Sequence, residues 1–130
     1  ARRDPPDLVA ADAGDFAAAM LVRPAQPGLV RVMFHSIMWQ YLPAATQARI
    51  TAAFEAAAAQ ATPDQPIGWI ALETDPATFR HELRVRLWDG RAHDGEHHFL
   101  SHAHPHGAWV KWLDGQKTGL SPTETLPSPH

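Results

Sequence analysis

The segment from Leu29 to Ile37 is apolar on both faces of an extended strand, and this feature constrains the fold more than any other. A strand of this kind is usually central in a parallel sheet that helices cover. Residues 44–61 follow as an alanine-rich helix with one apolar face, and 67–73 form a second buried strand. A strand, a helix and a strand in this order predict a parallel pair joined by a right-handed crossover.

The remaining segments extend this pattern at both ends. A brief strand is predicted at 8–11, and Asp12 is expected to begin a helix that the prolines after residue 23 end. Alternating residues at 83–88 and a returning strand at 97–103 indicate an antiparallel hairpin, with a last short strand at 109–113. We therefore predict an α/β fold with a mixed sheet.

Composition and charge exclude several classes of protein. The net charge of −3 without a basic stripe argues against nucleic acid as a partner. Without cysteine the chain has no disulfide, thiolate metal site or cysteine nucleophile. The sequence has neither a run of about 18 apolar residues nor a signal peptide, so no membrane contact and a cytoplasmic location are expected.

The domain organisation follows from these segments. Residues 1–117 are predicted to form a single α/β lobe. Residues 118–130, which are rich in proline, serine and threonine, are predicted to form an extended tail. The chain begins at Ala1 without an initiator methionine, which suggests that the lobe is the C-terminal part of a longer protein.

Two motifs, residues 35–42 and 104–113, place imidazole beside indole at the end of an apolar run. Together with a strand-ending glutamate and an L-R-x-x-L-W-like strand between them, they resemble a bacterial family, domain of unknown function 2332, over residues 8–113. The matching positions are His35, Ser36, Trp39, Gln40, Tyr41, Leu42, Glu73, Leu83, Arg84, Trp88, His104, Pro105, His106, Gly107, Trp109 and Trp112. Members of that family are longer, so the resemblance implies their C-terminal portion. The resemblance to this family implies no particular activity.

The order of elements is also similar to the second half of class I methyltransferase-like Rossmann domains. This resemblance implies a Rossmann-like mixed sheet, with parallel strands, crossover helices and a C-terminal antiparallel hairpin. It implies S-adenosylmethionine as a cofactor of the full-length protein, with Asp12 and Ala13 near its adenine. The glycine-rich turn that approaches such a cofactor is absent here and would lie upstream of Ala1.

Strand ends supply the candidate catalytic residues, since ligands of open parallel sheets bind beyond the carboxyl ends of strands. His35 could act as acid or base, Glu73 could orient it, and Ser36 could donate a hydrogen bond, with His106 near the same substrate. Alternatively, the first motif merely caps a turn. Ser36 lacks the G-x-S-x-G elbow of hydrolase nucleophiles. The substrate-binding candidates, which packing alone could also explain, are Trp39, Gln40, Tyr41, His104, Trp109 and Trp112.

Two further hypotheses stay open. His102, His104 and His106 alternate along an extended segment and could hold zinc in a metal-dependent hydrolase, although Pro105 interrupts the ladder. The lobe could also be non-catalytic and pair through an apolar sheet edge, either with the missing N-terminal part of the same protein or as a homodimer. A small-molecule partner is compatible with the methyltransferase-like and hydrolase hypotheses, and the sequence does not identify that molecule.

Overall fold

The computed structural model describes residues 6–113. In that range, helices and turns pack beside a five-stranded sheet. The elements, in chain order, are α1 (Ala13–Leu21), β1 (Arg31–Ser36), the 3-10 turn η1 (Trp39–Tyr41), α2 (Ala44–Ala58), β2 (Ile67–Thr74), β3 (His81–Trp88), β4 (His98–Ala103) and β5 (Val110–Trp112).

The sheet is mixed, and its strands lie side by side in chain order. Helix α2 connects β1 to β2, and these two strands pair in parallel, with Arg31 opposite Ile67. The later connections are too short for a crossover, so β2, β3, β4 and β5 form an antiparallel meander. The predicted α/β class with a mixed sheet and closing antiparallel strands is confirmed.

The core lies between α2 and one face of the sheet. Phe54 of α2 is fully buried, and Ile67 at the start of β2 is 1% exposed. Trp69 and Trp88 tilt against the Phe54 ring, with centroids 4.8 and 4.9 Å away. Ala57 and Ala58 complete the cluster, because alanines let the helix backbone approach the strands closely.

Helix α1 packs on α2 rather than on the sheet meander. Its N-cap is Asp12, as predicted, whose carboxylate accepts a hydrogen bond from the backbone N–H of Asp15 at 2.9 Å. The helices meet at the buried Gly14, where a Cβ atom would lie 3.2 Å from Thr46 Cγ2. A larger residue would therefore push α1 away from α2.

Two predictions about the first third of the chain are wrong. Residues 8–11 form no strand, and Leu8 and Val9 are exposed. β1 is the edge strand of the sheet rather than a central one, because nothing in residues 6–113 pairs with its outer side. Arg31 at the start of β1 is half-buried, and its Nη1 donates to the carbonyl oxygens of Leu21 and Arg23, at 3.4 and 3.0 Å, which joins β1 to the end of α1.

The predicted tail at 118–130 lies outside the described residues. Among residues 6–113, neither helix combines the length and the apolar sequence that crossing a bilayer requires.

Candidate functional site

The first motif builds a hydrogen-bonded pair at the carboxyl ends of the two parallel strands. His35 lies opposite Ala71 in the register, so Glu73 stands one pleat further along β2 on the same face. His35 Nδ1 and Glu73 Oε2 are 2.5 Å apart, and the two side chains are only 10% and 21% exposed. The sequence-based expectation that these groups emerge side by side from neighbouring parallel strands agrees with this geometry.

Two indoles fix the imidazole of His35. The Nε1–H of Trp69 donates to His35 Nε2 at 2.8 Å, so Nε2 is the unprotonated nitrogen and Nδ1 donates to Glu73. The ring of Trp39 stacks on His35 with centroids 5.0 Å apart and planes 22° apart. Both ring nitrogens and one ring face are therefore occupied within the protein.

A strained turn brings backbone amides to the same carboxylate. Ile37, directly after β1, has φ of 47°, which is costly for a β-branched residue. The turn it makes directs the N–H groups of Met38 and Trp39 at Glu73, 3.2 and 3.3 Å from its oxygens. Gln47 of α2 closes the turn by donating to the carbonyl oxygen of Trp39 at 2.8 Å. Glu73 is thus the hub that joins β1, β2 and η1.

This arrangement limits the chemistry that His35 can perform. A general base needs a free lone pair within reach of a substrate proton, and His35 Nε2 is already bonded to Trp69. Ser36 is the neighbouring residue of an extended strand, so its side chain projects to the opposite face from His35. The geometry therefore makes His35 and Glu73 positioning residues for Trp39 and the turn around it.

An apolar cleft of about 480 Å³ lies along β1, between that strand and α1, and extends past His35 to the turn after β1. We define the apolar cleft by its lining residues, which are Ala13, Phe16, Ala17, Met20, Leu21, Arg31, Val32, Met33, Phe34, His35, Met38, Trp39, Leu42, Ile50 and Ile67.

The second motif forms a hairpin turn. The N–H of Gly107 donates to the carbonyl oxygen of His104 at 2.9 Å, which closes a four-residue β-turn between β4 and β5. Gly107 has φ of 79°, a conformation that favours glycine. His104 Nδ1 accepts from the N–H of His106 at 3.1 Å, and the His106 side chain is exposed. Local turn geometry accounts for most of this motif.

The structure does not bring the two motifs together. β2 and β3 lie between β1 and β4, which places the motifs about 14 Å apart at the usual strand spacing. His106 therefore does not join His35 and Glu73 in one pocket. Among the substrate-binding candidates, Trp39 lines the cleft and Gln40 and Tyr41 are exposed beside it, while His104, Trp109 and Trp112 lie with the turn.

The metal hypothesis gains no geometric support. Among residues 6–113, no three histidine or carboxylate side chains are arranged to hold a metal ion. His102 lies on β4 opposite Glu82, and the His104 and His106 rings are 5.7 Å apart at their centroids. Asp94 is occupied locally: the backbone amides of residues 89–91, that of Asp89 foremost, donate to its carboxylate and lower its pKa.

A profile for the family described as "Uncharacterized protein conserved in bacteria (DUF2332)" matches residues 1–112. The chain belongs to this family. The DUF2332 match spans the first motif, the second motif up to Trp112, the cleft and every described strand, so these features lie within the part of the chain that the family shares. No curated protein and no solved structure matches the chain.

Three contributors to this DUF2332 site were missed by sequence reasoning. Trp69 is not among the predicted site residues, although it stands four residues before Glu73 and so shares its face of β2. Gln47 and Arg31 are not among them either. Only tertiary contacts, to Trp39 and to the end of α1 respectively, show the role of the last two residues.

Proposed function

We propose that the apolar cleft binds a small organic molecule and that this lobe forms the substrate side of a Rossmann-like enzyme. One observation carries the proposal: the cleft follows β1 to its carboxyl end, where His35, Met38 and Trp39 line it, and open α/β sheets bind their ligands beyond the carboxyl ends of their strands. Trp39, which stacks on His35, supplies a flat wall there. The proposal gives His35 and Glu73 a positioning role in binding, and the catalytic roles predicted for His35, Ser36, Glu73 and His106 stay separate predictions that it does not use.

The hydrogen bonds of the site support binding through preorganisation. Glu73 holds the imidazole and two backbone amides, and the imidazole in turn holds Trp39 in place. A wall fixed in this way loses little conformational freedom when a ligand packs against it. His35 therefore contributes to binding through the orientation of Trp39.

The methyltransferase-like version of the proposal rests on the parallel β1–α2–β2 unit and the antiparallel strands after it. The residues predicted to lie near S-adenosylmethionine do not fit that role. Asp12 follows no strand in the described part of the chain, and its carboxylate caps α1 on the amide of Asp15. We therefore derive no step through this cofactor.

Calorimetric titration of the full-length natural protein with S-adenosylmethionine tests the methyltransferase-like version of the proposal. An absence of binding heat would exclude that version and leave the cleft proposal intact.

A matched pair of variants tests the cleft. N-phenyl-1-naphthylamine is a neutral dye whose fluorescence rises in apolar surroundings, and we expect the protein to bind it. Ala17→Phe fills the cleft and should weaken dye binding by about tenfold or more, since a lost apolar contact of 1.4 kcal/mol is a factor of ten. Ala19→Phe makes the same change on the exposed side of α1 and should bind the dye normally. Failure of the wild-type protein to bind the dye, or equal dye affinity of the two variants, would contradict the proposal.

A second candidate function, strand pairing, is favoured by the open edge of the sheet. Val32 and Phe34 of β1 are 51% and 59% exposed, and the outer backbone groups of β1 have no strand partner within residues 6–113. Long apolar edges of this kind are normally covered. The partner would be a strand from elsewhere in the same protein or from a second copy.

Light scattering over a range of concentrations tests the second candidate. If β1 pairs with a second copy, the apparent mass rises with concentration and Phe34→Lys returns it to that of a monomer. Leu87→Lys introduces the same charge on the same sheet face but two strands from the edge, and it should leave association unchanged. A monomer at every concentration would exclude the homodimer, and equal loss in both variants would indicate packing on the face instead of pairing at the edge.

A further inference from the structure

The end of the apolar cleft opposite His35 carries a positive charge. Arg31 lines the cleft at the start of β1, and a guanidinium stays protonated in proteins. Its side chain is half-buried between the end of α1 and the strand. None of the ion pairs formed within residues 6–113 includes Arg31.

The donors of this guanidinium are only partly used. Nη1 donates to the carbonyl oxygens of Leu21 and Arg23, but the Nε–H is buried and has no hydrogen-bond partner in the described part of the chain. A buried donor without a hydrogen-bond partner is unfavourable, and in native structures a water, an ion or a ligand usually supplies the missing partner. The unused donor and the unpaired charge belong to the same side chain.

The distance between the two ends of the cleft defines the shape of a ligand. Arg31 and His35 lie four residues apart on one face of β1, which is about 13 Å at the usual rise of a strand. Between them the walls are apolar, with Met33 on the strand and Phe16, Ala17 and Met20 on α1. A molecule that satisfies both ends therefore has an anionic head, an apolar body and an extended shape.

We infer that the cleft takes amphipathic anions, with a carboxylate or similar acidic head on Arg31 and an aliphatic or aromatic body extending towards Trp39. This inference rests on the proposed binding function and adds the substrate class to it. A carboxylate at this end of the cleft can pair with the guanidinium charge while Nη1 keeps its bonds to α1, and a charge-assisted interaction of this type is stronger than one between neutral groups. The end of α1 stays attached to β1 when the ligand is bound.

A pair of ligands that differ only in the head group tests the inference. Octanoate and 1-octanol are added separately to the protein loaded with N-phenyl-1-naphthylamine, and the loss of dye fluorescence is followed. We expect octanoate to displace the dye at a concentration at least about tenfold lower than octanol, as one charge-assisted hydrogen bond predicts. This order opposes simple partitioning, because the alcohol is the more apolar of the two.

Variants assign the preference to Arg31. Arg31→Met should abolish the preference for octanoate, whereas Arg23→Met, which removes an exposed arginine at the same end of α1, should keep it. Thermal melts show whether Arg31→Met is folded. If it is not, Arg31→Lys, which keeps the charge but loses the planar guanidinium, replaces it and should reduce the preference. Equal displacement by octanoate and octanol in the wild-type protein would overturn the inference while the dye result upholds the cleft. Failure of the dye itself to bind would instead overturn the proposed function.

Discussion

The two motifs contain the same mixture of histidine and tryptophan, but the hydrogen bonds of the first connect residues far apart in sequence and those of the second connect near neighbours. At residues 35–42, His35 bonds to Glu73 and Trp69 on another strand, and Glu73 binds the amides of the turn. At the β4–β5 turn, His104 bonds within its own turn, and His106 is exposed. A similar composition therefore builds a long-range network in one place and a local turn in the other, and mutations should separate the two.

Glu73→Ala should give the largest effect. It removes the acceptor for His35 Nδ1 and for the amides of Met38 and Trp39, and leaves partly buried donors without partners. We expect the free energy of unfolding to fall by about 2 to 3 kcal/mol, measured by urea denaturation. Glu96→Ala removes an exposed carboxylate that contacts only His93 and should cost little. Equal losses in the two variants would mean that the Glu73 network is not what stabilises this end of the sheet.

Trp69→Phe tests the other side of the imidazole. Phenylalanine keeps a ring against Phe54 but cannot donate to His35 Nε2. The expected loss is about 1 to 2 kcal/mol of unfolding free energy, with a change in the NMR chemical shifts of the His35 ring, because Nε2 loses its hydrogen-bond donor. Trp112→Phe on β5 is the control and should not affect His35. An unchanged His35 signal in Trp69→Phe would contradict the hydrogen bond.

Gly107→Ala addresses the local turn. Its φ of 79° is strained for any residue with a Cβ atom, so the expected cost is about 1 kcal/mol. His106→Ala in the same turn should cost less than about 0.5 kcal/mol, because its side chain is exposed. Thermal unfolding measures both. Loss of the octanoate or dye site in either variant would show that the motifs cooperate, against the separation seen here.

Asp94→Asn should give the smallest change and one that depends on pH. Backbone amides lower the pKa of Asp94 in the folded protein, so the carboxylate stabilises the fold at pH values above its ordinary pKa of about 3.9. That contribution disappears as the pH falls through the lowered folded value. The melting temperature of the variant should therefore lie slightly below that of the wild type at pH 7 and meet it only below the lowered pKa of the folded state. A difference that persists in acid would contradict the assignment.

The sequence predicted most of the elements, because their patterns are local. The period of Ile50 and Phe54 and the alternation in β3 specify a helix and a strand without tertiary information. The position of β1 could not be predicted in this way. An apolar pattern on both faces of a strand shows that both faces are suited to burial. It does not show whether the strands that would pair with it lie in the same stretch of chain.

The candidate site was predicted in part. The pairing of His35 with Glu73 follows from parallel strands that end together, which the strand–helix–strand order implies. The roles of Trp69 and Arg31 depend on which nitrogen or carbonyl lies within hydrogen-bond reach after packing. No spacing rule encodes those distances. The histidines at 104 and 106 belong to a Pro-x-Gly turn, and the turn itself could be recognised from these residues.

The chain connectivity of the sheet has a consequence for the order of folding. The meander from β2 to β5 closes through short connections, whereas β1 can pair with β2 only after the whole of α2 has been spanned. Closing the longer loop costs more entropy, so β1 docks late and detaches early. Amide protons of β1 should then exchange with deuterium faster than those of β2 and β3. The hydrogen bond between His35 and Glu73 joins β1 to β2. A molecule bound along β1 would slow the exchange of the β1 amide protons before it changed the free energy of global unfolding.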